Sequence, residues 1–228
     1  MPDAVTPVIA IDGPSGSGKG TVARAVARAL GWHLLDSGAL YRLAALACTA
    51  AGVDLDNGAQ AARIAAAMDA RFSSSPGGEE LILLGGRDVT AELRTEQAGR
   101  GASVVAQHPA VRQALTGRQR AFAQLPGLVA DGRDMGTVIF PDAGLKLFLT
   151  ADPEERARRR HKQLKDKGID ASLAALFSEI AERDRRDSTR AVAPLKPSAD
   201  AVILDSTRLT IDEVVAQVLK LAKERGFS

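Results

Sequence analysis

A single cysteine, Cys48, stands in 228 residues, so no disulfide can form within the chain and a reducing compartment fits. Charge of one sign is equally scarce in excess: 30 Lys and Arg against 28 Asp and Glu leave +2, and the overall field points neither toward nucleic acid nor away from it. No apolar run approaches the ~18–20 residues a membrane-spanning helix needs, and the N-terminus lacks the charged-then-apolar pattern of a secretion signal. A cytoplasmic protein with no membrane partner is the expectation. The three histidines, His33, His108 and His161, are scattered and match neither a metal-ligand spacing nor a catalytic triad. Lysine is scarce where arginine is not: eight Lys against twenty-two Arg. That bias favours planar, bidentate recognition of phosphate or carboxylate.

Hydrophobic patterning predicts an α/β chain. The run "VIAI" (8–11) reads as a buried strand, and "TVARAVARAL" (21–30) repeats apolar residues at Val22, Val26 and Leu30, a helical period. Further buried strands are predicted at "GLVAD" (127–131), "KLFLTA" (146–151) and "AVILD" (201–205), with helical stretches between most of them. This order implies a parallel sheet covered on both faces. Residues 71–89 differ: a Pro-Gly-Gly turn splits two short strand-like runs, which predicts a β-hairpin within an insertion near 60–105.

Between the first strand and the first helix lies "IDGPSGSGKGT" (11–21), with four glycines from Gly13 to Thr21. Gly13, Gly18 and Lys19 fit G-x-x-x-x-G-K, a loop whose backbone N–H groups surround phosphate oxygens while the lysine reaches the terminal phosphates. Gly13, Pro14, Ser15, Gly16, Ser17, Gly18, Lys19, Gly20 and Thr21 are therefore the candidate ATP-binding residues. Gly20 occupies the usual Ser/Thr position, so no direct metal ligand is assigned; either Thr21 or water would serve Mg²⁺. An N/T-K-x-D guanine motif is absent, which argues against a GTPase switch.

Three other stretches carry polar chemistry. In "LLDSGALYR" (34–42) a short strand ends at Asp36, Asp36 or Ser37 can cap a helix, and Arg42 lies near its positive end, where a bound anion would relieve the conflict. In "ADGRDMGT" (130–137) Asp131 ends a buried strand, where a carboxylate can organise Mg²⁺ and its waters beside a phosphate loop. Arg133 and Asp134 follow at the carboxyl edge of the sheet, where open α/β folds bind ligands. In "ERDRRDSTR" (182–190) the apolar stripe Leu173, Leu176, Phe177 and Ile180 continues onto Arg183, Asp184 and Asp187. From 156 to 190 there are eleven Lys/Arg against six Asp/Glu and few apolar residues, a composition that suits either a short mobile lid or a solvated helical hairpin.

The stretches 11–21, 34–42, "DGRDMGTVIFPDA" (131–143) and "RDRRDSTRAVAPL…ADAVILDST" together resemble the bacterial cytidylate kinases, from about residue 8 to about 222. The resemblance implies a single kinase domain over 1–228: a three-layer P-loop core with a parallel sheet, a monophosphate-binding insertion (about 60–105) with a small antiparallel sheet, and a lid (about 156–190). It implies ATP with Mg²⁺ as phosphoryl donor and CMP or dCMP as acceptor; a monomer with small-molecule nucleotides and no nucleic acid as partners is the accompanying expectation. It places Ser37, Tyr41, Arg42, Arg133 and Arg190 around the CMP phosphate, Ser103, Arg112 and Asp134 on cytosine, and Arg183 and Asp187 on the ribose. Lys19, Asp131, Arg133 and Arg190 are the expected catalytic set. Adenylate and uridylate kinases would share loop and lid, and a basic nucleic-acid-binding module would use the 156–190 cluster instead.

Overall fold

Every residue of β1 (Val8–Asp12) is buried, as befits a central strand covered on both faces. The computed structural model describes residues 6–74, 80–166, 168 and 170–227. Its elements run β1, α1 (Lys19–Leu30), β2 (His33–Asp36), α2 (Ser37–Ala50), α3 (Gly58–Ala67), β3 (Ala70–Ser74), β4 (Glu80–Leu84) and β5 (Arg87–Asp88). There follow α4 (Thr90–Leu93), α5 (Glu96–Val105), α6 (Pro109–Arg120), β6 (Leu128–Gly132), a π-helical turn (Met135–Ile139) and β7 (Leu145–Thr150). The chain closes with α7 (Pro153–Asp166), α8 (Leu173–Thr189), β8 (Val202–Asp205) and α9 (Ile211–Glu224).

Two compact units divide these elements: Met1–Asp36 with Arg120–Ser228, and Ser37–Gln119. The first holds a five-stranded parallel sheet of order β2-β6-β1-β7-β8. The register pairs Ile11 with Asp131 and Asp12 with Gly132, so the motifs that close β1 and β6 emerge side by side at the carboxyl edge. The core packs Val22, Val26 and Ala27 of α1 and Val214, Val218 and Ala222 of α9 with Ile9, Ile11, Leu147 and Leu149 of the sheet. Trp32 and Phe227 meet as a tilted aromatic pair 5.3 Å apart. The sheet and its helices agree with the sequence expectation, each predicted strand falling within a residue or two of the observed one.

The second unit carries the antiparallel sheet β3-β4-β5. The predicted hairpin is present, with Ala70 opposite Leu84 and Phe72 opposite Ile82; its Pro-Gly-Gly turn lies outside the described residues. The third strand, β5, is only two exposed polar residues and carries no hydrophobic alternation by which to announce itself.

Within α8 the apolar stripe is split. Leu176 and Ile180 are buried, whereas Leu173 and Phe177 are 43% and 41% exposed, so only part of the helical face predicted as apolar is covered. No helix among the described residues is long and apolar enough to cross a membrane.

Candidate active site

The phosphate loop leaves β1 at Asp12 and re-enters regular structure at Lys19, the first residue of α1. Gly13 has φ +150 and passes so close to β7 that a Cβ there would stand 2.1 Å from the Leu149 carbonyl oxygen; only glycine fits. The first turn of α1 has no acidic residue, so its positive end is left for an anion. Lys19 is buried and donates from Nζ to the Pro14 carbonyl at 3.0 Å, folding the side chain back over the loop. Burial, and after it the Arg133 charge, push the Lys19 amine down to about 7, against the pull of Asp131.

Asp131, at the end of β6, is buried beside this amine. A Cβ on Gly20 would meet Asp131 Oδ2 at 3.0 Å. The departure from the usual Ser/Thr thus has a steric correlate. The carboxylate of Asp131 occupies the space beside the first turn of α1 that a side chain at residue 20 would contest.

Beyond Asp131 the chain turns sharply. Arg133 donates from Nε to Asp187 Oδ2 at 3.0 Å and from Nη1 to the Gly132 carbonyl at 3.2 Å. Burial raises the Asp187 carboxyl, but Arg133, Arg183 and Arg190 outweigh it and hold the group below the usual carboxylate range. The backbone folds this corner too: the Leu195 N–H donates to the Asp187 carbonyl at 2.8 Å, and Arg190 donates from Nη2 to the Ala193 carbonyl at 2.8 Å. Arg133, Arg183, Asp187 and Arg190, assigned from separate stretches of sequence, therefore form one charged cluster. Asp134 is 2% exposed and begins the π-helical turn without capping it.

The second unit gathers its own polar group. Ser37, the first residue of α2, donates from Oγ to Gln119 Oε1 at 2.6 Å. The Arg112 guanidinium lies 5.6 Å from the centre of the Tyr41 ring, a cation–π distance, and donates weakly from Nη1 to the Ala106 carbonyl at 3.4 Å. Arg42 donates from Nη1 to the Leu93 carbonyl at 3.2 Å, and Ser103 is buried on α5.

Outside the sequence assignment, Arg156, the Arg159–Ser206 pair and Asp12 hold the first unit's site together. Arg156 is 3% exposed, clasps the Asp184 carboxylate with both terminal nitrogens, and donates to the carbonyls of Ser15 and Ala151. It thereby fixes the bases of α7 and α8 to the phosphate loop. Arg159 reaches the Ser206 carbonyl at 2.6 Å, and the buried Ser206 hydroxyl lies 3.1 Å from the Ser17 carbonyl. The two described histidine contacts, His33 Nε2 with the Leu125 carbonyl and His108 Nε2 with the Leu55 carbonyl, are structural.

A parallel sheet whose first strand opens through a glycine loop onto a helix, with a buried lysine and carboxylate at that junction, defines a P-loop nucleotide-binding protein. Comparison with known proteins narrows the class. The family described as Cytidylate kinase matches residues 9–224. Cytidylate kinase of Pseudomonas aeruginosa (strain LESB58) is 58% identical over 226 residues, covering 99% of each chain. Those of two Pseudomonas putida strains are 59% identical over 226 residues (KT2440, 99% of each chain) and 61% over 222 (W619, 97% of each). The chain belongs to the cytidylate kinase family.

Proposed function

We propose that the protein transfers the γ-phosphoryl group of ATP to CMP, and likewise to dCMP, giving ADP and the corresponding diphosphate. The observation that carries the reading is the junction of the phosphate loop with the Arg133–Asp134 turn: β1 and β6 deliver a donor-phosphate cradle and an arginine-bearing loop to the same sheet edge.

An acceptor monophosphate is already largely dianionic at neutral pH, so its oxygen attacks the γ-phosphorus without a strong general base. The bond to the β–γ bridging oxygen breaks as the new P–O bond forms, and ADP leaves. The protein's part is placement and charge neutralisation. Lys19 follows the β- and γ-phosphate oxygens, and Arg133 and Arg190 hold the acceptor phosphate. Arg183 and Asp187 are assigned to the ribose and Asp134 to the base. Ser37, Tyr41 and Arg42 are assigned to the acceptor phosphate, and Ser103 and Arg112 to cytosine, on family resemblance. Mg²⁺ bound with ATP would spread the phosphate charge, and the buried carboxylate of Asp131 beside Gly20 suits an ion held through water. ADP release measured with CMP, dCMP, UMP, AMP and GMP tests the reading. CMP and dCMP should be turned over and the others poorly; equal use of AMP or UMP would overturn the acceptor assignment.

The Lys19 amine yields a second measurement. A group near 7 in the free protein and well above it against phosphate must take up a proton on binding. At pH 8, where the ATP phosphates are ionised, titration calorimetry in two buffers of different ionisation enthalpy should show proton uptake, and Lys19→Ala should abolish it. Identical uptake by the variant would remove Lys19 from this role.

The lid reading predicts ligand-dependent order. Because Arg156 pins the bases of α7 and α8, the change should concentrate farther out, between about 160 and 182. Hydrogen exchange there should slow on adding a non-hydrolysable ATP analogue with CMP. Equal protection with and without ligands would mark a permanently docked hairpin.

A further inference from the structure

Asp12 closes β1 and immediately precedes Gly13, yet its carboxylate bonds a segment that follows β6. Oδ1 accepts the Met135 N–H and Oδ2 the Gly136 N–H, each at 2.8 Å, and the side chain is 5% exposed. These N–H groups are the first two of the π-helical turn Met135–Ile139, where a helix start leaves donors without partners in the turn itself. Asp134 stands at the capping position, and aspartate is among the residues that most often cap with their own side chain, but it makes no capping bond here. The cap comes instead from the neighbouring strand, 123 and 124 residues away in the chain.

We propose that Asp12 is a positioning residue for acceptor recognition: by capping the turn from β1, its carboxylate sets where Arg133 and Asp134 stand relative to the phosphate loop that begins at the next residue. The inference rests on the reading of Arg133 and Asp134 as acceptor-binding groups. The arrangement is mechanically direct. One residue ends the strand that launches the donor loop and, through its side chain, fixes the loop assigned to the acceptor. In-line transfer depends on that spacing, since a displacement of about 1 Å can cost roughly 10²-fold in rate. The carboxylate does not sit there easily, because burial pushes it up to about 6 despite the two N–H bonds.

Asp12→Asn keeps the shape but replaces one acceptor oxygen with an amide that confronts an N–H. In the full-length enzyme it should raise KM for CMP about tenfold and lower kcat by roughly 10²-fold, with KM for ATP within about twofold of wild type. Asp12→Glu, which retains both acceptor oxygens, should recover part of the loss. Arg133→Ala, measured alongside, separates the two readings. If it leaves KM for CMP unchanged, the acceptor assignment itself has failed and the inference falls with it. If it raises that KM while folded Asp12→Asn leaves CMP kinetics unchanged, only the inference is overturned. A variant with lower Tm but wild-type kinetics per folded molecule would likewise reduce Asp12 to a stabilising role. Should Asp12→Asn fail to fold, hydrogen exchange on the wild type decides: the Met135 and Gly136 amides should be strongly protected at pH 7.5, and exchange at loop rates would overturn the proposal.

Discussion

Lys19→Ala should lower kcat by roughly 10²–10³-fold or more while leaving Tm unchanged or raised. The two halves of this expectation come from one feature of the side chain. Its ammonium is buried, has the Pro14 carbonyl at 3.0 Å, and sits in the field of Arg133 and Arg183 with Asp131 in partial opposition. Burial therefore disfavours the charged form in the free protein. On the proposed assignment to the β- and γ-phosphates, the same burial would strengthen the attraction once ATP is in place, and the charge would be available as negative charge redistributes in transfer. Removing the amine deletes transition-state stabilisation and also deletes a strained cation. The sign of the pH dependence follows. The folded-state pKa lies near 7 and the unfolded value near 10.5, so the charge destabilises the fold fully below pH 7 and progressively less as pH rises toward 10.5. Any gain in Tm from Lys19→Ala should thus be largest below pH 7. Single-turnover kinetics and thermal melts at several pH values check both halves, and near-normal turnover by the purified variant would remove Lys19 from the chemistry.

What the sequence revealed and what it concealed divide along a physical line. The phosphate loop, the buried strands and the hairpin are local: spacing of glycines, apolar runs and alternation define them within a dozen residues. The cluster of Arg133 with Asp187 was legible only as two separate charged stretches, because the ion pair spans 54 positions. The support around the loop was not legible at all. Arg156 reads as one arginine among several on an arginine-rich helix, and its bond to the Ser15 carbonyl crosses 141 positions to a backbone atom with no sequence signature. Ser37 shows the converse. Its place at a helix start reads as a cap, and nothing local announces that its hydroxyl also donates to Gln119 Oε1, 82 residues away. Asp12 combines both difficulties. It reads as part of the glycine loop that follows "VIAI" (8–11), and its partners are backbone N–H groups of a turn whose π-helical form no hydrophobic period announces.

Asp134→Asn should cut CMP turnover and shrink the CMP/UMP preference, the largest selectivity change expected of any single substitution here. Cytosine presents an amino donor at N4 and acceptors at N3 and O2; uracil presents an acceptor at O4 and a donor at N3. A carboxylate accepts and never donates at neutral pH, so Asp134 suits N4 and opposes O4. The guanidinium assigned to the ring acceptors, Arg112, donates and never accepts, so it suits N3 and O2 of cytosine and opposes the uracil N3–H. Asp134 and Arg112 are each buried within their own unit, and a polar group left unpaired on binding is costly. If both residues read the base as assigned, the two mismatches would give discrimination of roughly 10³–10⁵-fold in kcat/KM. The Asn amide retains an oxygen for N4 and adds an N–H₂ that can rotate to meet O4, which weakens the preference from both sides. The Asp12 cap should survive the change, because its bonds go to backbone N–H groups of Met135 and Gly136 and not to the Asp134 side chain. Loss of selectivity with an unchanged Tm would therefore identify base reading by residue 134. An Asn variant with the wild-type CMP/UMP ratio would show that Asp134 does not read the base, and its role would then be to support Arg133 or the metal.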